Sequence, residues 1–193
     1  MLIDVEYIRR FRPIARNIAD DRVEVYIREA ERLDIMPAIG AGLYERFSQL
    51  GRIVVDDEGN ELLDDGGAPV RALYEGDLPT EEYKLLNGGY YTGCDGEKRH
   101  FEGLKTALAY LAYARFVRNH STNVTPYGVV TKIGEDSTPV DARTLAAVAL
   151  DAQRIGQAYL QGAQAYWADA CARCACGTGG NRRPRRRFVP VGD

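Results

Sequence analysis

The sequence predicts a mainly α-helical fold: a helical bundle with one long C-terminal helix, a small β-hairpin or loop insertion, and a projecting loop or strand arm. Three observations carry that prediction. Apolar residues recur every three to four positions in several stretches, the period of amphipathic helices rather than strands. The stretch from Phe101 to Asn119 is apolar on nearly every side, as the central helix of a bundle must be when neighbours pack on several faces. A further apolar stripe runs from Leu145 to Ala170, longer than a compact domain of 193 residues needs for itself.

Each element follows from local signals. Asp4 is placed to cap a short helix that Pro13 interrupts. Asp21-Arg22-Val23-Glu24 has the form of a capping box, after which Val23, Tyr26, Ile27, Ala30 and Leu33 predict an amphipathic helix over 22–33. Asp34 is expected to cap a second helix with Pro37 in its first turn, where a missing N–H does no harm, and with Ile39, Leu43, Phe47 and Leu50 as its apolar stripe. Residues 51–100 form an irregular or hairpin insertion. Ile53-Val54-Val55 and Leu62-Leu63 flank the turn at 56–60, and Asp65-Gly66-Gly67 marks another turn. Thr80-Glu81-Glu82, after Pro79, opens a short helix that stops at Asn87-Gly88-Gly89.

After the central helix, residues 120–137 make a long connection, read as a projecting arm, with a strand at Val129-Val130-Thr131-Lys132-Ile133. The last helix opens on Thr138-Pro139-Val140-Asp141, a cap followed by proline at the first helical position, and continues to about Ala172. At about 1.5 Å per residue it would be roughly 50 Å long. Either part of it packs on another subunit, or it breaks near Gly156 or Gly162.

Composition narrows the function classes. The chain is 45% hydrophobic and 27% charged with a mean hydropathy of -0.34, the profile of a soluble globular domain. No transmembrane stretch is present, and the N-terminal MLIDVEYIRRFRP places charges where a signal peptide needs an apolar core. Export is therefore not expected, and the four cysteines should stay reduced. Of the 25 basic residues five lie in 181–193, with one of the 28 acids, so the remaining residues carry 20 bases against 27 acids. An acidic helical domain over 1–180 thus ends in an Arg-rich tail that cannot bury itself.

Chemistry-bearing patterns are few. Cys171, Cys174 and Cys176 are the candidate metal ligands, but a tetrahedral zinc site needs a fourth donor, and Cys94, His100 and His120 are all distant in sequence. Cys94 with His100 as its base matches no cysteine-hydrolase signature. Gly177–Gly180 lacks the lysine and following helix of a phosphate loop, and Asp56–Asn60 lacks the alternating ligands of an EF-hand. No enzyme and no cofactor is expected. Arg182, Arg183, Arg185, Arg186 and Arg187 are the strongest local signal: they suit duplex DNA phosphates or the acidic body of a neighbouring subunit, with Phe188 and Val189 as apolar anchors.

Several runs resemble the small α-helical head–tail connector proteins, also called adaptor or head-completion proteins, of tailed bacteriophages and prophages. The runs are Arg12-Pro-Ile-Ala-Arg-Asn-Ile18, Tyr26-Ile-Arg-Glu-Ala-Glu31, Leu33-Asp-Ile-Met-Pro-Ala-Ile-Gly40, Leu85-Leu-Asn-Gly-Gly-Tyr90, Phe101 to Asn119, Asn123-Val-Thr-Pro-Tyr-Gly-Val-Val130 and Ser137-Thr-Pro-Val-Asp141. The resemblance spans roughly residues 5–170. It implies a structural virion protein of the particle neck, assembled in the host cytoplasm. Such a protein forms a homo-oligomeric ring below the portal vertex, contacts portal and tail or neck proteins, and lets DNA pass. On that reading Tyr127, Val129, Val130 and Ile133 in the arm and Ile155, Tyr159, Tyr166 and Trp167 on the last helix are the candidate subunit contacts. The rival readings are a nucleic-acid-binding module that uses the Arg-rich tail and a zinc protein built on the cysteine group.

Overall fold

In the computed structural model, residues 1–56, 58–63, 69–119, 122–125, 128–131 and 141–176 are described, with side chains omitted for 122–125, 128–131 and 173–176. The fold is mainly helical, with one long C-terminal helix, as the periodicity predicts.

Helix α1 (Val5–Arg9) is capped by Asp4, whose carboxylate accepts the Tyr7 N–H at 2.7 Å. Helix α2 (Asp20–Ala30) starts with Ala19 in the cap position and no side-chain cap. The expected capping box does not form, because Asp21 accepts the N–H of its neighbour Arg22 at 2.8 Å. Asp20 and Asp21 instead lie in the first turn, where the helix dipole favours negative charge.

The expected break before a second helix is also absent. The helix runs on from α2 through one widened turn (Glu31–Ile35) into α3 (Met36–Ile39). In that turn the Met36 N–H reaches back five residues to the Glu31 carbonyl. Pro37 accounts for the widening: it has no N–H to offer Leu33, and its ring would crowd the Leu33 carbonyl in a regular helix. Asp34 is therefore not a cap, and its carboxylate receives the Arg115 guanidinium at 2.7 Å. Gly40, at φ 85°, ends the rod, and α4 (Ala41–Ser48) follows.

Residues 52–72 contain three short extended segments centred on Val54, Leu62 and Val70. Val54 N–H donates to the Val70 carbonyl at 2.9 Å, Val70 N–H to Leu62 at 2.8 Å, and Leu62 N–H to Val54 at 2.9 Å. The donor–acceptor circuit closes on itself, a β-triad in which each segment pairs with both others. The eight-residue spacing follows Val54-Val55-Asp56-Asp57 and Leu62-Leu63-Asp64-Asp65 in the sequence.

Helix α5 (Thr80–Asn87) ends at Gly88 as expected. Strands β1 (Gly89–Thr92) and β2 (Lys98–Phe101) form an antiparallel hairpin with Tyr90 opposite His100. Helix α6 (Gly103–Asn119) leaves it directly, and strands β3 (Thr122–Thr125) and β4 (Gly128–Thr131) make a second hairpin. Helix α7 (Ala142–Cys176) is unbroken over 35 residues. Two glycines make the α5–hairpin–α6 corner possible. A Cβ on Gly103 (φ 78°) would lie 2.3 Å from the Gly88 nitrogen, and one on Gly88 (φ 83°) 2.6 Å from the Phe101 carbonyl oxygen.

The core is built on α6. Leu104, Ala107, Leu108 and Ala112 have no exposed surface, and α2, α5 and α7 cover three of its sides. Ion pairs lace the rim: Lys105 to Glu75 at 2.6 Å, Arg46 to Glu82 at 2.9 Å and Arg12 to Asp151 at 3.1 Å.

Candidate functional site

The most distinctive feature of the molecule is the way α7 outruns its partner. Its buried stripe is Ala149, Ala152, Gly156, Ala163, Tyr166 and Ala170. Alanine and glycine dominate because the two helices lie close: a Cβ on Gly156 would sit 2.8 Å from Leu111 Cγ and 3.1 Å from the Leu111 backbone nitrogen. Gly156 thus allows contact with α6 rather than a break, and neither it nor Gly162 interrupts the helix.

Leu111 against Gly156 and Phe101 against Tyr166 fix the antiparallel register. In that register Asn119, the last residue of α6, falls near Val148, so residues 142–147 extend about 9 Å past it. At the opposite end α7 passes the first turn of α6 and meets the β1–β2 hairpin. There Tyr166 stacks on Phe101 with ring centroids 4.4 Å apart, meets Tyr91 edge-on at 5.0 Å, and donates its hydroxyl to the Glu81 carboxylate.

Among the described residues the overhanging end has no such support. Leu145-Ala146-Ala147-Val148-Ala149-Leu150 is wholly apolar, yet only Ala149 is buried; Leu145 is half-buried and the rest are exposed. Leu145 and Val148 continue the stripe that α6 covers further along. A second apolar patch lies on the β-triad, where Val55, Leu62 and Leu63 are exposed. The chain that leaves the triad pairs Leu73 with Leu50 and reaches the first turn of α6 through the Glu75–Lys105 ion pair. That link lies near the start of α6, whereas the bare end of α7 lies past Asn119, at the end of α6. Sequence reading missed the triad patch, although the eight-residue spacing of Val54-Val55 and Leu62-Leu63 was there to be found.

The residues singled out from the sequence are scattered. Tyr166 has no exposed surface, which leaves nothing for a neighbouring subunit to touch. Ile155, Tyr159 and Trp167 are half-buried. Tyr159 packs edge-on against Tyr110 at 5.6 Å, and burial pushes its phenol above the usual value. Val129 and Val130 lie on β4, whereas Tyr127, Ile133 and the five tail arginines lie outside the described residues. Cys171 is exposed on α7; the side chains of Cys174 and Cys176, on the same helix, lie outside the description.

Cys94 is exposed in the turn of the first hairpin, while His100 sits two residues beyond the Lys98–Thr92 pair that closes that turn, its ring tilted against Tyr90 with centroids 4.7 Å apart. Among the described residues no group of three or more His, Cys, Asp or Glu could hold a metal ion. Asp56 is occupied by its own turn, accepting the Asn60 N–H at 2.8 Å and the Glu58 N–H at 3.0 Å. Those donors, the Asn60 backbone first, hold its carboxyl below the usual carboxylate range. None of the described helices is long and apolar enough to cross a membrane.

Comparison with known proteins places this arrangement in a family. No curated protein and no solved structure matches the chain. Residues 60–170, which take in α5, the first hairpin, α6, the β3–β4 segment and most of α7, match the model of DUF6712, a family of unknown function, and the chain belongs to that family.

Proposed function

We propose that the chain is a structural virion protein of a tailed phage or prophage: a head–tail connector that rings below the portal vertex and links the capsid to the tail. The observation that carries this reading is the bare end of α7. A helix of 35 residues lies on one of 17, and its apolar stripe runs on past the end of the shorter one. Uncovered apolar area of that kind suits a subunit made to be covered by others. A ring requires two unlike faces on every subunit, and separate bare patches on α7 and on the triad suit that need. An acidic body suits a passage that duplex DNA must cross without sticking. The runs quoted above that resemble connector proteins point the same way.

The test is direct. Phage particles produced by a host carrying this chain are purified and disrupted, their proteins identified by mass spectrometry, and intact particles labelled with an antibody against the chain. The expected result is a virion protein present in a few to a dozen or so copies, with label at the neck. A chain absent from purified particles, or labelled over the whole capsid, overturns the reading.

A further inference from the structure

Residues 7–19 hold four arginines and no acid, the reverse of the balance over 1–180, where 20 bases meet 27 acids. Two of the four are taken. Arg9 binds Glu6 at 2.5 Å and Asp20 at 3.0 Å, and Arg12 binds Asp151 at 3.1 Å with its guanidinium over the Tyr110 ring. Arg10 and Arg16 are exposed and enter no ion pair among the described residues; Arg10 lies over the ring of Tyr7, 5.4 Å from its centroid. Both line one open groove of about 390 Å³, together with Glu6, Arg9, Pro13 and Ile14.

Glu6 is the one acid in the lining and sits on Arg9, so three guanidinium groups stand there against one carboxylate. Asp20, from the first turn of α2, shares Arg9 and leaves a net charge of +1. Asp21 and Arg22 beside it offset each other, and Asp4 is taken up in capping α1. Donors are also in excess. Arg9 Nε is buried with no hydrogen-bond partner among the described residues, and Arg10 and Arg16 have no carboxylate. What fills such a groove must bring acceptors and negative charge. Its apolar lining is confined to Pro13 and Ile14, too little to hold a peptide by burial, whereas open guanidinium forks match phosphate oxygens. At a net charge of +1 a lone phosphate would be held weakly; a run of phosphates reaches both arginines and releases counter-ions at each. We propose that this groove is a contact for the phosphate backbone of duplex DNA, made by Arg10 and Arg16. It is separate from the Arg-rich tail and does not rest on the connector reading.

The experiment titrates a labelled duplex of mixed sequence with the full chain and follows anisotropy over a series of salt concentrations. One double variant, Arg10→Gln with Arg16→Gln, removes the two groove groups. A second, Arg143→Gln with Arg154→Gln, removes the same charge from α7, where both arginines are exposed and in no ion pair among the described residues. All four positions are exposed, so far-ultraviolet circular dichroism and the thermal midpoint should stay at the wild-type values. Arg16→Gln alone replaces the first double variant if that one misfolds. Wild-type chain should bind the duplex at low salt. The groove variant should bind on the order of tenfold more weakly, with its log–log salt slope lowered by about one to two, while the α7 variant stays close to wild type. Unlabelled duplex should displace the probe at far lower charge concentration than polyglutamate or inorganic phosphate. A wild-type chain with no affinity for duplex overturns the contact. So does a groove variant that binds like wild type, since the tail then carries the binding, or an equal loss in both variants, since net charge alone then explains it. Displacement by polyglutamate as readily as by duplex assigns the groove to an acidic protein segment and overturns DNA as its ligand; equal displacement by inorganic phosphate does so in favour of the free anion. The chain's place in the virion neck is untouched by any of these outcomes.

Discussion

The two ends of α7 are made of similar residues and have opposite fates. Toward the C-terminus Ala163 and Tyr166 are fully buried and Ala170 is 3% exposed; toward the N-terminus Val148 is 38% and Leu150 44% exposed. Helix propensity and apolar content do not separate them. The difference lies in what the rest of the chain brings alongside: Phe101, Tyr91 and α5 at one end, the end of α6 at the other. An apolar stripe in a sequence therefore announces a surface to be covered without saying which chain will cover it.

The largest effects should come from the covered end. Tyr166→Ala removes a stacked ring and the hydroxyl bonded to Glu81, and should destabilise the fold by about 3–5 kcal/mol. Val148→Ala, on the same helix, should change stability by less than about 0.5 kcal/mol. Chemical denaturation of the two variants checks the contrast, and equal losses would erase the distinction between the ends.

Next come the glycines of α7, which report how closely each part of it is embraced. Gly156→Ala drives a Cβ to 2.8 Å from Leu111 Cγ and should cost about 1–2 kcal/mol, even though alanine favours a helix by about 1 kcal/mol. Gly162→Ala meets Phe101 Cβ at an ordinary 3.6 Å and should stabilise by about 0.5–1 kcal/mol. Thermal midpoints moving in opposite directions are the expected reading. A rise for Gly156→Ala would mean that α6 and α7 are less tightly packed there than the Leu111 contact indicates.

Much of this architecture was legible in the sequence, and the failures have particular causes. Asp4, the Asn87-Gly88 stop and the all-round apolarity of α6 each act through neighbours in the chain or through a single dominant period, so the residues alone disclose them. Asp34 and the Asp21–Glu24 box have the form of caps but do not cap, because capping competes with other partners. Asp34 is claimed by Arg115, 81 residues away, and Pro37 is absorbed by a widened turn instead of forcing a break. In the sequence the length of α7 leaves two readings open, packing on another subunit or a break near Gly156 or Gly162, because a glycine's packing partner is invisible until the register of α6 on α7 is known. The candidate surface was half legible. The excess length of α7 could be read directly, but which part of it is bare depends on where α6 ends. Tyr166 was placed on a subunit contact because periodicity does not distinguish one neighbour from another. The triad patch went unseen because its pairing is a three-way circuit rather than a hairpin.

The mildest effect tests the other bare region, and pH is the lever. In the β-triad the Asp56 carboxylate is exposed and holds the turn by accepting from Asn60 and Glu58, which keeps its pKa below the ordinary carboxylate range. A carboxylate whose pKa is depressed on folding stabilises the fold above the unfolded value, near 4, and that contribution disappears as pH falls through the lower folded value. Protonation removes acceptors that local N–H groups need, so the turn should loosen while the α6–α7 core, whose buried stripe carries no carboxylate, holds. Amide exchange measured from neutral pH down to about 3 and corrected for intrinsic rates should show Asn60 losing protection first, with Ala152 and Ala163 unchanged. In Asp56→Asn the turn's response to pH should vanish, because the amide oxygen accepts at any pH. Loss of protection at Ala163 over the same range would show that the triad and the α7 core open as one unit, and the contrast between bare and covered regions would then be one of exposure alone.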